Sequence, residues 1–347
     1  MTPNSADDEA IRKVIEVGLT ERCGSQQHIV RFTRRPYEYW SSCALEELNF
    51  ELADGRTMCV LFKDFTPTSM PNLTRDARHD WLYDPAREIC VYTRLLNHLE
   101  LGTAACYAFR LDFAGGQYWL FLEKITGREL YTVEELAVWQ HAARWLASFH
   151  RLAVKFADAK NLRLLVWDRQ CYQRCLERAS FFQARRAAEM SLSTVTCLGL
   201  ERFQRIATVY SAVVEDLLNC PTTIVHGEFY ASNVLAIGDP EDATICPVDW
   251  ETAGLGVPLM DVAALVAGQW SDPQREAIVC AYWNALDDLQ REAWGTMQRF
   301  LTSLVGCRLH LAIQMLGRPP EWEPPAEHRH DWAREADELV EQLQAPT

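Results

Sequence analysis

Residues 224–254 read IVHGEFYASNVLAIGDPEDATICPVDWETAG, the one stretch in the second half of the chain where short strands and turns interrupt a helical pattern. Three apolar pieces, 223–225, 234–237 and 244–248, flank Glu228, Asn233 and Asp249. Short buried strands hold the loops between them rigidly, and phosphoryl transfer depends mainly on positioning and charge neutralisation. That chemistry needs a carboxylate to accept or orient an attacking hydroxyl. It also needs an amide oxygen and a second carboxylate to hold Mg²⁺, because hard cations prefer oxygen ligands. Glu228, Asn233 and Asp249 supply those types in that order.

Working outward, the sequence changes character near Gly127. Before it, Ser5 and Asp8 ahead of Ile11, Val14, Ile15 and Leu19 predict a capped amphipathic helix. Residues 46–65 split at Ala53-Asp54-Gly55 into two apolar runs, a hairpin signal. A helix is predicted over 84–99, from apolar residues at helical spacing, and a strand pair over 105–111 and 117–123. After it, helices are predicted from 132 through 150, 167–188, 202–218, 258–315 and 331–343, with a Pro-rich break at 318–325. The expected organisation is an N-lobe over 1–123, a linker over 124–130 and a C-lobe over 131–347, with a ligand cleft between the lobes.

Composition excludes several classes of function. Across 347 residues, 34 Lys and Arg stand against 48 Asp and Glu, a net charge of -14 that repels a nucleic-acid backbone and favours a cationic small molecule. None of the 12 cysteines forms a Cys-x-x-Cys pair, and Cys171 and Cys175, one helical turn apart, read as buried thiols. An acidic amino terminus and the lack of a long apolar run point to the cytoplasm and to no membrane partner. His328 and His330 read as surface residues, and His150 as a satisfied core histidine. Trp270, Tyr282, Trp283 and Trp294 read mainly as core, with one or two left for a pocket. Nothing in the sequence bears on oligomeric state.

His226-Gly227-Glu228-Phe229-Tyr230-Ala231-Ser232-Asn233 resembles the His-Gly-Asp-x-x-x-x-Asn catalytic loop of the aminoglycoside phosphotransferase and choline kinase family. Val248-Asp249-Trp250-Glu251 is similar to that family's metal-binding segment. The resemblance implies a two-lobed, protein-kinase-like α+β fold with a small antiparallel-sheet N-lobe and a larger, mainly helical C-lobe. It implies transfer of the terminal phosphoryl group of ATP or GTP to a hydroxyl of a small molecule such as an antibiotic, amino alcohol, sugar or biosynthetic intermediate. Asp249 and Asn233 would bind Mg²⁺, Glu228 would stand at the catalytic-base position, and His226 and Asp261 would brace the loop. One departure is that the family places Asp where this chain has Glu228, one methylene longer.

The first half agrees with this resemblance. Lys63 ends an apolar strand, as does the phosphate-pairing lysine of kinase-like folds, and Glu88 stands where the family places its acidic partner. Ser41 and Ser42 occupy the place of the phosphate-covering loop, which here lacks glycine. Main-chain groups near Glu123 to Ile125 would meet the base, and main-chain contacts do not choose between ATP and GTP. A catalytically silent, nucleotide-binding regulator with the same fold is the alternative.

Overall fold

Helix α1 (Asp8–Cys23) opens the described chain and buries Ile11, Ile15 and Leu19 on one face, with Asp8 and Glu9 in the first turn where the helix dipole favours negative charge. The structure, a computed structural model, describes residues 7–37, 43–69, 81–156, 158, 160–189, 194–268, 270–319, 321 and 329–345. The expected cap Ser5 and the loop residues Ser41 and Ser42 lie outside the described residues. Asp7 precedes α1 without a side-chain cap bond.

Strands β1 (Ile29–Pro36), β2 (Ala44–Leu52) and β3 (Thr57–Asp64) lead to helix α2 (Arg87–Arg94), followed by β4 (Cys106–Asp112) and β5 (Gln117–Glu123). They form an antiparallel sheet in the order β1-β2-β3-β5-β4. One face carries Leu48, Phe50, Val60, Phe62, Trp119 and Phe121 into a core closed by α1. Phe62 stacks on Phe121 with ring centroids 4.8 Å apart. Since successive side chains on a strand alternate faces, Lys63 points the other way, toward α2.

The helix predicted over 84–99 is corrected by the structure. It ends at Arg94, because Leu95 leaves helical backbone geometry (φ −122°, ψ −67°), and a short 3-10 turn, Leu96–His98, follows. Leu95, Leu96 and Leu99 are buried all the same, so the apolar spacing reported burial, which the bent backbone also achieves.

The second half contains β6 (Arg128–Glu129), α3 (Leu136–Ala153), β7 (Leu165–Val166), α4 (Arg169–Glu189), α5 (Thr194–Leu217), β8 (Thr223–Val225), β9 (Val234–Ile237), β10 (Thr244–Pro247) and β11 (Gly254–Gly256). Helices α6 (Leu259–Leu265), α7 (Asp272–Ala285), α8 (Asp288–Trp294), α9 (Met297–Leu316) and α10 (Trp332–Gln344) follow. Helix α5 begins earlier than the expected 202. Strands pair as β10-β9-β6 and as β7-β11-β8. The main core gathers Leu146, Phe149, Tyr172, Phe229, Trp250 and Leu309.

Cys171 and Cys175 are free, buried thiols. His330, read as a surface residue, is instead mostly buried, with its ring against Trp332 and an ion pair to Glu335. Tyr282 and Trp294 are core, and Trp270 and Trp283 are partly buried. Among the described residues, no helix is long and apolar enough to cross a membrane.

Candidate active site

Glu228 and Asp249 are each followed by an aromatic residue that is wholly buried, Phe229 and Trp250. Trp250 packs against Phe149 (5.0 Å between centroids) and His226 (4.4 Å), while Phe229 stacks on Trp145 (5.9 Å). Burying each ring stabilises by roughly 1.5–3 kcal/mol, so two aromatic anchors fix the backbone that carries the two acids. The β9–β10 hairpin adds register. Val234 pairs with Pro247 at its open end, and Val248 N–H donates to the Asn233 carbonyl at 2.9 Å. Asn233 and Asp249 therefore flank one hairpin mouth.

Asp261, fully buried on α6, holds the start of the loop from below. Its Oδ2 accepts the His226 N–H at 2.7 Å and its Oδ1 the Gly227 N–H at 2.8 Å, while His150 Nε2 lies 3.1 Å from Oδ2. His150 Nδ1 meets the Tyr282 hydroxyl at 2.9 Å, so this histidine is internally satisfied. The His226 ring bridges the two motifs: Nε2 donates to the Val248 carbonyl at 3.0 Å and Nδ1 accepts the Glu228 N–H at 3.3 Å. Burial lowers its pKa, although Asp261 opposes this, and the neutral imidazole suits one donor and one acceptor. Gly227 has φ +87°, and a Cβ there would lie 2.5 Å from the Thr252 carbonyl oxygen. Asp249 also has positive φ, +67°, a conformation that short polar residues adopt more readily than others and that clusters at functional sites.

On the N-terminal sheet, Lys63 is 7% exposed and meets three carboxylate oxygens: Glu88 Oε1 at 2.9 Å, Glu88 Oε2 at 2.8 Å and Asp249 Oδ1 at 2.8 Å. Burial disfavours its charge, but Asp249 and Glu88 outweigh that and hold the ammonium well above its ordinary range. Burial pushes the Glu88 carboxyl up, with Lys63 pulling the other way. The pair is thus a buried, compensated charge rather than a surface decoration, and removing one partner is expensive.

The neighbouring residue Arg87 gave no sequence signal. Its guanidinium donates to the Leu82 carbonyl at 2.6 Å, the Arg163 carbonyl at 2.8 Å and the Glu251 carbonyl at 2.7 Å, so α2 is bonded directly to the C-terminal half beside Asp249. Arg318, from the end of α9, lies with Nη2 3.4 Å from Glu228 Oε1, an ion pair that no local motif announced. The stretch after β5 also carries a contact unseen in sequence. Lys124 and Arg35 both pair with Glu47, a buried carboxyl that hydrogen bonds from Lys124 and Asn49 lower to about 2. Glu123 donates its N–H to the Ala105 carbonyl and its carboxylate accepts the Ala105 N–H, while Ile125 is half-buried against the core.

Asn233 Nδ2 donates to the Glu228 carbonyl at 3.0 Å, which leaves its amide oxygen as the acceptor of that side chain. Lys63, Glu88 and Asp249 are joined by ion pairs and His226, Asp261, Glu228 and Asn233 by hydrogen bonds, and the two sets meet at Val248, the chain neighbour of Asp249. Two surface recesses, one beside Arg94 and Asn161 and the other beside Gln173 and Tyr210, share no lining residue with these sets.

A sheet-borne lysine presented to a hairpin-borne carboxylate on a helical body defines a two-lobed, protein-kinase-like architecture. The chain belongs to the phosphotransferase enzyme family, whose model matches residues 73–300, well over half of its length. Glu88, Glu228, Asn233, Asp249 and Asp261 fall inside the matched stretch, and Lys63 lies before it. Comparison with curated proteins gives no match. Among solved structures the chain is similar to an ethanolamine kinase of Plasmodium vivax, at 11% identity over 91% of this chain and 82% of that one, with a TM-score of 0.52. It is also similar to a spectinomycin phosphotransferase solved with ADP and spectinomycin, at 13% identity over 99% and 96% of the two chains, TM-score 0.52. A third is aminoglycoside 2′-phosphotransferase-IIIa solved with GDP, at 13% identity over 97% and 98%, TM-score 0.52. At these identities the likeness is one of fold.

Proposed function

We propose that the protein transfers the terminal phosphoryl group of ATP or GTP to a hydroxyl group of a small molecule. The observation that carries this reading is the contact of Lys63 with Asp249 at 2.8 Å, with Glu88 behind it and Glu228 on the adjoining loop. A charge-paired ammonium beside a loop carboxylate is what in-line transfer uses: the ammonium neutralises phosphate oxygens, and Glu228 orients or deprotonates the acceptor. The longer Glu228 side chain reaches a hydroxyl if the acceptor sits within about 2.6–3.2 Å of its oxygens. His226 and Asp261 hold the loop, and main-chain groups near Glu123 and Ile125, with Ser41 and Ser42, are proposed to contact the nucleotide.

Mg²⁺ fits the residues at the hairpin mouth. Asn233 and Asp249 would hold it through hard oxygen atoms, and among the described residues no group of three or more His, Cys, Asp and Glu gathers to hold a metal alone. Two protein ligands suit an ion that keeps water and phosphate oxygens in its shell. When bound, Mg²⁺ supplies charge neutralisation on the phosphates.

Support for a nucleotide and a small acceptor comes from the similar structures, whose names include ADP, GDP, spectinomycin, aminoglycosides and ethanolamine. The net charge of -14 favours a cationic acceptor among these. The test is ADP and GDP release from the Mg²⁺ nucleotides, screened with amino alcohols, aminoglycosides and sugars, for wild type and Glu228→Gln. Stimulated release that Glu228→Gln abolishes is expected. Unchanged release by Glu228→Gln would show that this residue is not the base.

A further inference from the structure

We propose that Arg318 is a positioning residue that fixes the longer side chain of Glu228 for the reaction. This rests on the reading of Glu228 as the base. Glutamate has one more rotatable bond than aspartate, and a base is efficient only when its oxygen is held in the productive geometry. Arg318 Nη2 lies 3.4 Å from Glu228 Oε1, with both side chains largely but not wholly buried, 25% and 21% exposed.

Arg318 is itself held at its root. Helix α4 covers the carboxyl end of α9, where carbonyl groups have no partners within the helix. Gln183 Nε2 and Arg186 Nη1 each donate to the Leu316 carbonyl at 2.9 Å. Arg178 Nε donates to the Gly317 carbonyl at 2.8 Å, and Arg186 Nη2 to the Arg318 carbonyl at 2.7 Å. Three side chains of α4 therefore fix the backbone from which the guanidinium extends. These bonds go to main-chain oxygens, so they survive replacement of the Arg318 side chain. Glu228 hangs from a loop anchored by Phe229 and Asp261, and this ion pair of long side chains links the two rigid elements. The arrangement matches the departure from aspartate: the extra methylene carries the carboxylate toward the Arg318 guanidinium.

The experiment measures steady-state ADP release from Mg-ATP, with water as acceptor, for wild type, Arg318→Ala, Arg318→Gln, Glu228→Asp, Glu228→Gln and the double variant Glu228→Asp/Arg318→Ala. Arg318→Ala and Arg318→Gln should each lower kcat roughly 10–100-fold while leaving KM for ATP within about twofold, the signature of lost positioning rather than lost nucleotide binding. Millimolar guanidinium should restore part of the kcat of Arg318→Ala and not raise that of wild type. On the Glu228→Asp background, Arg318→Ala should cost less than about threefold, because the shorter side chain reaches less far toward the guanidinium. If Glu228→Gln is inactive while both Arg318 variants keep wild-type kcat, the Arg318 role falls and the base reading stands. Equal losses from Arg318→Ala on the Glu228 and Asp backgrounds overturn the Arg318 role as well. Wild-type turnover by Glu228→Gln, or no turnover by the wild type, overturns both.

Discussion

Lys63 Nζ and Asp249 Oδ1 are 2.8 Å apart, although they lie 186 positions apart in sequence. One belongs to the N-terminal sheet and the other follows the β9–β10 hairpin, so this contact, beside the Arg87 bonds, joins the two halves of the molecule at the site.

Replacing Lys63 with Met would leave Glu88, 1% exposed, facing Asp249 without a cation. Breaking a buried ion pair costs about 3–5 kcal/mol, and loss of a phosphate-directed charge lowers turnover by roughly 10²–10³-fold. The double variant Lys63→Met/Glu88→Gln should regain much of the stability in urea unfolding but none of the turnover. Normal ADP release from Lys63→Met would refute the assignment of Lys63.

Asp249→Asn separates charge from backbone shape. Asparagine also adopts the left-handed conformation that position 249 requires, and Glu88 still compensates Lys63, so the stability loss should stay below the about 3–5 kcal/mol of breaking the buried pair. Turnover should fall by at least about two orders of magnitude, and the Mg²⁺ concentration needed for half-maximal rate should rise. Titration of turnover with Mg²⁺ decides it: an unchanged midpoint would remove Asp249 from the metal site.

Two glycines with similar dihedrals should respond differently to alanine. Gly55 has φ +85° with nothing within 4 Å of the position an added methyl would take, so Gly55→Ala should cost only about 1 kcal/mol of backbone strain. At Gly227 the same strain is joined by a contact of 2.5 Å with the Thr252 carbonyl, and the cost should be at least about twice as large, with loss of turnover. Equal thermal shifts for the two variants would mean that the loop relaxes freely.

Buried histidines make the fold sensitive to acid. His310 is pushed down to about 3 by burial, and its Nε2 has no hydrogen-bond partner. An unfolded histidine binds a proton near pH 6.5, so from there down to about pH 3 the unfolded chain takes up a proton that the folded one refuses. Stability is present above pH 6.5 and is lost on acidification, at about 1.4 kcal/mol per pH unit for this residue. His226, lowered in the same direction, adds to the slope just below 6.5. His310→Gln should flatten the dependence of Tm on pH between 7 and 5, and an unchanged slope would contradict the assignment.

The site was legible where its parts are contiguous. Glu228 and Asn233 lie on one loop and Asp249 follows one short hairpin, so their proximity could be read from their spacing. Lys63 and Glu88 were legible through the strand and helix that carry them. Arg318 and Arg87 were not, because Arg318 comes to Glu228 from beyond the end of α9 and Arg87 bonds main-chain carbonyls far away in sequence, and no local period records such meetings. Boundaries failed for a related reason. In residues 95–99 apolar spacing continued after the helix had ended, since burial, not backbone geometry, is what hydrophobic periodicity reports. At α5 the opposite happened: β-branched residues and Gly199 weaken the helical signal over 194–201, yet the helix starts at Thr194.

The bonds from Arg87 to the carbonyls of Arg163 and Glu251 have a mechanical consequence. Helix α2 is tied to the C-terminal half by these bonds as well as packed on the sheet, so any separation of the two halves is expected to strain the sheet side of α2 before the Arg87 side. The seam runs between Lys63 and Glu88, and amide exchange should show α2 protected to the same depth as β11 rather than β3.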